Sequence, residues 1–213
     1  MDPKSRYEKE RSDGKLQRLQ LILDAAERVF TDKGIEKTTM QDIAKSAGIG
    51  IATLFRYFPK KEKLIVAVAV RLLEPIYERF RHIADLPLTS LDKLDRLFDF
   101  FIEDHDHPRI KFMVDFESYA SHCTEPLDDI LQFNLLNRRI SDEYATIIQD
   151  GLEDGSIRAG LPVRETLTTL INAFGLFSKQ LSLQKNILLL ESDMESDRQL
   201  ALLKRIFIDY LRG

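Results

Sequence analysis

Apolar residues return every three or four positions along nearly the whole chain, the spacing that lays one face of an α-helix on a core. Between Lys15 and Lys33 they are Leu19, Ile22, Leu23, Ala26, Val29 and Phe30. Asp13 is placed to cap that helix, and Gly34 to end it in the left-handed conformation. Ahead of it, residues 1–14 mix Lys4, Arg6, Lys9 and Arg11 with Asp2, Glu8, Glu10 and Asp13, which reads as an unstructured, solvated arm. Two short helices follow. Thr39 opens the first, Asp42 completes a capping-box-like pattern, and Met40, Ile43, Ala44 and Ala47 form its inward stripe. Gly48 stops it, and Ile49 is an apolar pin within the turn. The second runs from Gly50 to Phe58 and is closed by Pro59. Leu54 and Phe58, four apart, face inward, while Ile51, Thr53, Arg56 and Tyr57 lie elsewhere on its circumference.

The pattern beyond residue 65 stays helical but in longer elements. A fourth helix runs to His82 with a break or bend expected at Pro75. Ser90 is placed to cap a fifth, with Leu91, Leu94, Leu97, Phe98, Phe101 and Ile102 on one side. A break at His107-Pro108 precedes a sixth helix bearing Phe112, Met113, Phe116 and Ala120. A long seventh is expected from Pro126, and Gly151, Gly155, Gly160 and Pro162 mark its end. The last two span roughly 163–190 and 196–212. The chain therefore reads as all-α, with a compact three-helix head over residues 16–65 and a larger helical bundle over 66–213.

Composition narrows the class. Hydrophobic residues are 44% and charged residues 31% of 213 positions, as in a soluble globular protein. The single Cys123 excludes an intramolecular disulfide or a cysteine-based zinc site, and reads as a small apolar filler. The charged first 20 residues do not form a secretory signal and no run is long enough to cross a bilayer, so a cytoplasmic location is expected. Net charge is −4, but residues 1–65 hold 14 Lys and Arg against 10 Asp and Glu. A basic head on an acidic body suits an end that touches phosphates.

The head has the parts of a sequence reader. The helix over 50–58 is about 12 Å long, comparable with the major groove of B-DNA. Small Gly50 and Ala52 let its backbone approach a duplex, and Lys60, Lys61 and Lys63 follow at once. Over residues 16–65 the stretches ILDAAERVF and DKGIEKTTMQDIAKSAGIGIATLFRYFPKKEKL resemble the N-terminal DNA-binding domain of TetR-type transcriptional regulators, with the helix-turn-helix at 39–58. The resemblance implies that Gln41, Ile51, Ala52, Thr53 and Arg56 face base edges or nearby backbone. It implies that Thr39, Tyr57 and Lys61 hold phosphates, that the partner is double-stranded DNA, and that the chain acts as a homodimer, more often a repressor. Three positions depart from the family: Phe55 stands where Tyr is usual, Gly50 where a capping Ser is common, and Ile51 where a polar reader is frequent.

The body supports further expectations. The wide stripes of the last two helices, with Leu170, Phe174, Phe177, Leu181, Leu203, Phe207 and Tyr210, suggest a dimer interface. The resemblance points to the same pair of helices, forming a four-helix bundle across a two-fold axis. Phe98, Phe101, Phe112, Met113, Phe116, Tyr119 and Tyr144 are either ordinary core or the lining of a cavity for a small, largely apolar effector, and the cavity is the expectation taken forward. His105, Asp106 and His107 raise the alternative of a metal-dependent helical enzyme. Neighbours at i and i+2 do not share a helix face, so exposed helix-end histidines are expected instead. No phosphate loop, dinucleotide fingerprint or Ser/His/Asp arrangement is present, so neither cofactor nor catalysis is expected. A ligand-independent DNA-binding dimer is the remaining alternative.

Overall fold

The computed structural model describes residues 3–184 and 195–212. Among these, helices occupy α1 (Pro3–Lys33), α2 (Met40–Ser46), α3 (Ile51–Tyr57), α4 (Lys61–Ala84), α5 (Ser90–Asp104), α6 (Pro108–His122), α7 (Ile130–Glu153), α8 (Val163–Gln184) and α9 (Ser196–Leu211). The described extended pairing is a single bridge, Ile157 to Arg212. The part of the expected eighth helix over 185–190 lies outside the described residues.

Several boundaries differ from the pattern. α1 begins at Pro3, where an unstructured arm was expected. Lys, Arg and Glu, which favour helices, make up half of residues 3–14, and proline is favoured in a first turn, so a helix nucleated further along extends into it. α4 continues as one helix through Pro75. Thr89, one residue before the expected Ser90, caps α5 by accepting from the Asp92 amide. α7 starts at Ile130 rather than near Pro126, and Gly151 lies inside it.

The chain forms two compact units. The first joins Met1–Leu72 with Phe112–Phe133. Its core takes Ile22, Ala26 and Phe30 from α1, Ile43 from α2, Leu54 from α3, Leu64 and Val68 from α4, and Phe112 and Phe116 from α6. Phe30 meets Phe112 at 5.9 Å between ring centroids, and Phe116 and Phe133 meet edge to face at 4.9 Å. Arg71 of α4 pairs with Asp24 at 2.6 Å and with Glu27, tying α4 to α1.

The second unit, Leu73–Lys111 with Asn134–Gly213, has its own core. Phe98 of α5, Phe174 of α8 and Phe207 of α9 form a triangle of rings, with Phe98 and Phe174 at 4.7 Å. Around it pack Phe80, Leu94, Tyr144, Ile147, Leu200 and Leu211. Asp154, after α7, accepts from the Ser90 amide at 2.8 Å, while the Ser156 hydroxyl accepts from the Leu91 amide. Two otherwise unpaired first-turn amides of α5 are thus satisfied by a loop some sixty residues away.

Candidate nucleic-acid interface

Backbone chemistry builds the reading head. The Thr39 hydroxyl accepts from the Asp42 amide, and the Asp42 carboxylate accepts from the Thr39 amide at 3.0 Å, which closes the expected capping box. Lys33 of α1 reaches the same carboxylate at 2.6 Å. The Lys33 hydrogen bond, then those from Thr39, hold the Asp42 carboxyl well below the usual carboxylate range. At the other end, Gly48 has φ of 64°. Its amide donates to Lys45, and the Ile49 amide donates to Ala44 at 3.0 Å. These are the two reversed hydrogen bonds of a Schellman motif, and they turn the chain sharply from α2 into α3.

α3 is aimed by its buried side. Leu54 is fully buried, Phe58 is buried, and Ile51 packs against the same core. Its neighbours are forced outward. Ala52, Phe55 and Arg56 are exposed on one face, with Thr53 and Tyr57 half-buried beside them. Gly50 caps α3 with no side-chain hydrogen bond, as its lack of a hydroxyl dictates. On α2, Gln41 and Lys45 are exposed one turn apart.

The eight residues expected to meet DNA therefore fall into three groups. Gln41, Ala52, Thr53 and Arg56 offer accessible surface on α2 and α3. Ile51 and Tyr57 divide their surface between core and solvent. Thr39 and Lys61 are accessible but engaged, since the Thr39 hydroxyl also donates to Asp42 at 2.8 Å and the Lys61 ammonium donates to the Glu36 carbonyl at 3.2 Å. Partial burial lowers the Lys61 pKa, opposed by Glu62 and Glu36. Sequence reading missed Lys45, although an exposed lysine one turn after Gln41 was a usable signal. It also treated Phe55 only as a lost hydroxyl, whereas its ring is 45% exposed on the outer face of α3.

The expected effector-lining residues are divided between the two cores. Phe112 and Phe116 are core residues of the first unit, with Met113 and Tyr119 packed against them. Phe98 and Tyr144 are core residues of the second, with Phe101 against them. Burial raises the Tyr144 phenol far above its ordinary pKa. Among the expected interface residues, Phe174 and Leu181 lie in the core and have almost no surface left for a partner. Leu170, Phe177, Leu203 and Phe207 pack partly against that core, and Tyr210 is exposed. The same helices carry a second apolar stripe that the pattern did not separate from the first: Leu176 and Leu183 on α8, and Leu202 and Ile206 with Tyr210 on α9.

His105 corrects one expectation. It is buried rather than exposed: its Nδ1 lies 2.7 Å from the Ile102 carbonyl, and its Nε2 lies 3.4 Å from the carboxylates of Asp106 and Asp197. The ring ends α5 and faces the start of α9. Asp106 and His107 are exposed. Among the described residues, no group of three or more His, Cys, Asp or Glu is placed to hold a metal. No described helix is long and apolar enough to cross a membrane.

Comparison with known proteins agrees with this geometry. Residues 22–68 match the family model of bacterial regulatory proteins, tetR family. Over 145 residues the chain is 31% identical to the HTH-type transcriptional repressor KstR2 of Mycolicibacterium smegmatis, spanning 67% of this chain and 68% of that protein. The fold is similar to that of the transcriptional regulator FadR from Bacillus subtilis, solved in complex with stearoyl-CoA. The TM-score is 0.71 at 17% identity, over 91% of this chain and all of that one. It is also similar to the ketosteroid transcriptional regulator KstR2 of Mycobacterium tuberculosis, with a TM-score of 0.65 at 20% identity, over 92% and 95% of the two chains.

Proposed function

Since the chain belongs to the tetR family of bacterial regulatory proteins, we propose that it is a DNA-binding transcriptional repressor, active as a homodimer on a pseudo-palindromic operator and released by a small effector. The family is one of regulators rather than enzymes. The observation that carries the reading is the turn at Gly48, which leaves Leu54 in the core and Ala52, Thr53 and Arg56 outward. A duplex then meets a helix whose inner side is fixed. Arg56 and Thr53 address base edges, Ala52 permits close approach, and Gln41 reaches in from α2. Lys61, Thr39 and Tyr57 hold phosphates, Lys61 by leaving the Glu36 carbonyl.

Residues 16–65 carry DNA binding, and 66–213 carry effector binding and dimerisation. Two reading helices in a dimer enter successive major grooves about 34–36 Å apart. The outer stripe of α8 and α9 supplies the two-fold interface. The effector is largely apolar. An acyl thioester is the first class to assay, because a fold neighbour was solved with stearoyl-CoA, and a ketosteroid is the second, because another is a ketosteroid transcriptional regulator. Binding is linked to release only through the effector's differential affinity for the two dimer forms. α4, α6 and α7 each contribute residues to both units, so their backbones are the route of that linkage. The protein works in the cytoplasm, where its operator is.

The test is anisotropy titration of a labelled duplex from the region upstream of the chain's own coding sequence, across a salt series. Lys61→Met is expected to weaken binding on every duplex and to flatten the salt slope by about 1.8, about 0.9 for each subunit of the dimer. Arg56→Ala is expected to cost about 1–3 kcal/mol on the preferred duplex and much less on others. Stearoyl-CoA is then added to the wild-type complex to test release. Equal losses on all duplexes for Arg56→Ala would remove that residue from base reading.

A further inference from the structure

Lys60, Lys61 and Lys63 form a basic edge directly after the reading helix, yet each is engaged within its own unit. Lys60 pairs with Asp128 at 2.9 Å and Lys63 with Asp129 at 2.9 Å. The two aspartates are neighbours in the connector between α6 and α7, anchored by Leu127, which is buried in the core of the head. Asp129 has φ of 66°, and among the described residues it is the one non-glycine in the left-handed region. Aspartate is among the residues that tolerate this conformation, and in it the Asp129 carboxylate lies against Lys63. Both pairs remain partly exposed, and Lys60 and Asp128 line an open recess of about 490 Å³. A competing anion can reach them, and a phosphate oxygen is the same kind of acceptor as a carboxylate oxygen. Exposed ion pairs of this kind are weak enough to exchange.

We propose that Asp128 and Asp129 are a built-in stand-in for DNA phosphates, an autoinhibitory pair that holds Lys60 and Lys63 until a duplex displaces it. The inference rests on the DNA-binding reading above. The hydrogen bond and charge of Lys60 hold the Asp128 carboxyl below its ordinary pKa, and Asp128 in turn raises that of Lys60. On DNA the two lysines change partners and the connector loses its electrostatic tie to the head. Anything that shifts the connector changes how many lysines the duplex can claim.

The experiment is a mutant cycle. Asp128→Asn with Asp129→Asn removes both charges, and asparagine tolerates the left-handed backbone at 129, so the fold is kept. This pair of changes is made in the wild-type chain and in one carrying Lys60→Met and Lys63→Met. All four proteins are titrated with a fluorescein-labelled duplex of the region upstream of the chain's own coding sequence, in overlapping pieces of about 30 base pairs, each long enough for two half-sites one helical turn apart. In the wild-type background the asparagines are expected to tighten binding about three- to tenfold, the worth of two exposed ion pairs. In the methionine background the gain is expected to vanish. No gain, or an equal gain in both backgrounds, overturns the proposal, the second because it is plain long-range charge. A wild-type chain that binds no duplex overturns the DNA-binding reading instead.

Discussion

Two glycines show how one residue type serves opposite needs. At Gly48 an added Cβ would meet nothing within 4 Å, but φ is 64°, so the obstacle is the backbone conformation alone. At Gly151 the backbone is helical, but a Cβ would lie 2.4 Å from Ile157 Cδ1 and 2.9 Å from Ser90 Cβ, so the obstacle is space. Gly48→Ala is expected to cost about 1–2 kcal/mol and Gly48→Asn distinctly less, because asparagine tolerates the left-handed region. Gly151→Ala is expected to cost about 1–3 kcal/mol, and Gly151→Asn at least as much, because a larger side chain worsens the overlap. Urea midpoints of the four variants separate the two causes. If asparagine harms position 48 as much as alanine, the turn does not depend on its backbone conformation. Gly48 was legible in the sequence as a helix stop. Gly151 was not, because its reason is close packing against Ile157 and against Ser90, the latter sixty-one positions away in the chain.

Element ends show the same limit. The capping box of α2 was readable because both partners lie within three residues. The start of α5 was misplaced by one residue although its cap, Thr89 on the Asp92 amide, is equally local; what spacing could not show is that Asp154 and Ser156 satisfy the Ser90 and Leu91 amides from across the fold. Burial pushes the Asp154 carboxyl up, but the hydrogen bonds from Ser156 and from the Ser90 amide outweigh it and bring the pKa to about 2. A carboxyl depressed on folding stabilises the protein above its unfolded pKa and loses that contribution as pH falls through the folded value. Asp154→Ala is therefore expected to lower stability by roughly 1 kcal/mol at neutral pH, a modest figure because the site is solvent-screened. The difference in melting temperature from wild type should close between about pH 4 and pH 2. A difference that stays constant over that window would mean that Asp154 contributes by shape rather than by charge.

At the scale of the whole molecule, periodicity identified helices but not their partners. Nothing in the pattern says that Phe112 and Phe116 of α6 join the core of Ile22 and Leu54, because that grouping is a matter of contact rather than spacing. Likewise the wide stripes of α8 and α9 were read as one surface when they are two. Phe174 and Leu181 fill the core, while Leu176 is 65% and Ile206 52% exposed. Leu202, Ile206 and Tyr210 recur every four residues along one edge of α9, which is a continuous apolar line. Ile206→Lys, which places a charge on that line and spares the core, is expected to convert the dimer to monomer in sedimentation experiments. It should weaken operator binding about a hundredfold as the second half-site ceases to be an intramolecular partner. A variant that stays dimeric would move the interface elsewhere. The outer stripe also has a consequence for the cell. If two copies must meet on it before either reads an operator, occupancy rises with the square of chain abundance while dimers are scarce. A small change in synthesis rate or turnover would then become a larger change in gene output, and the exposed leucines of α8 and α9 would set a threshold on dosage.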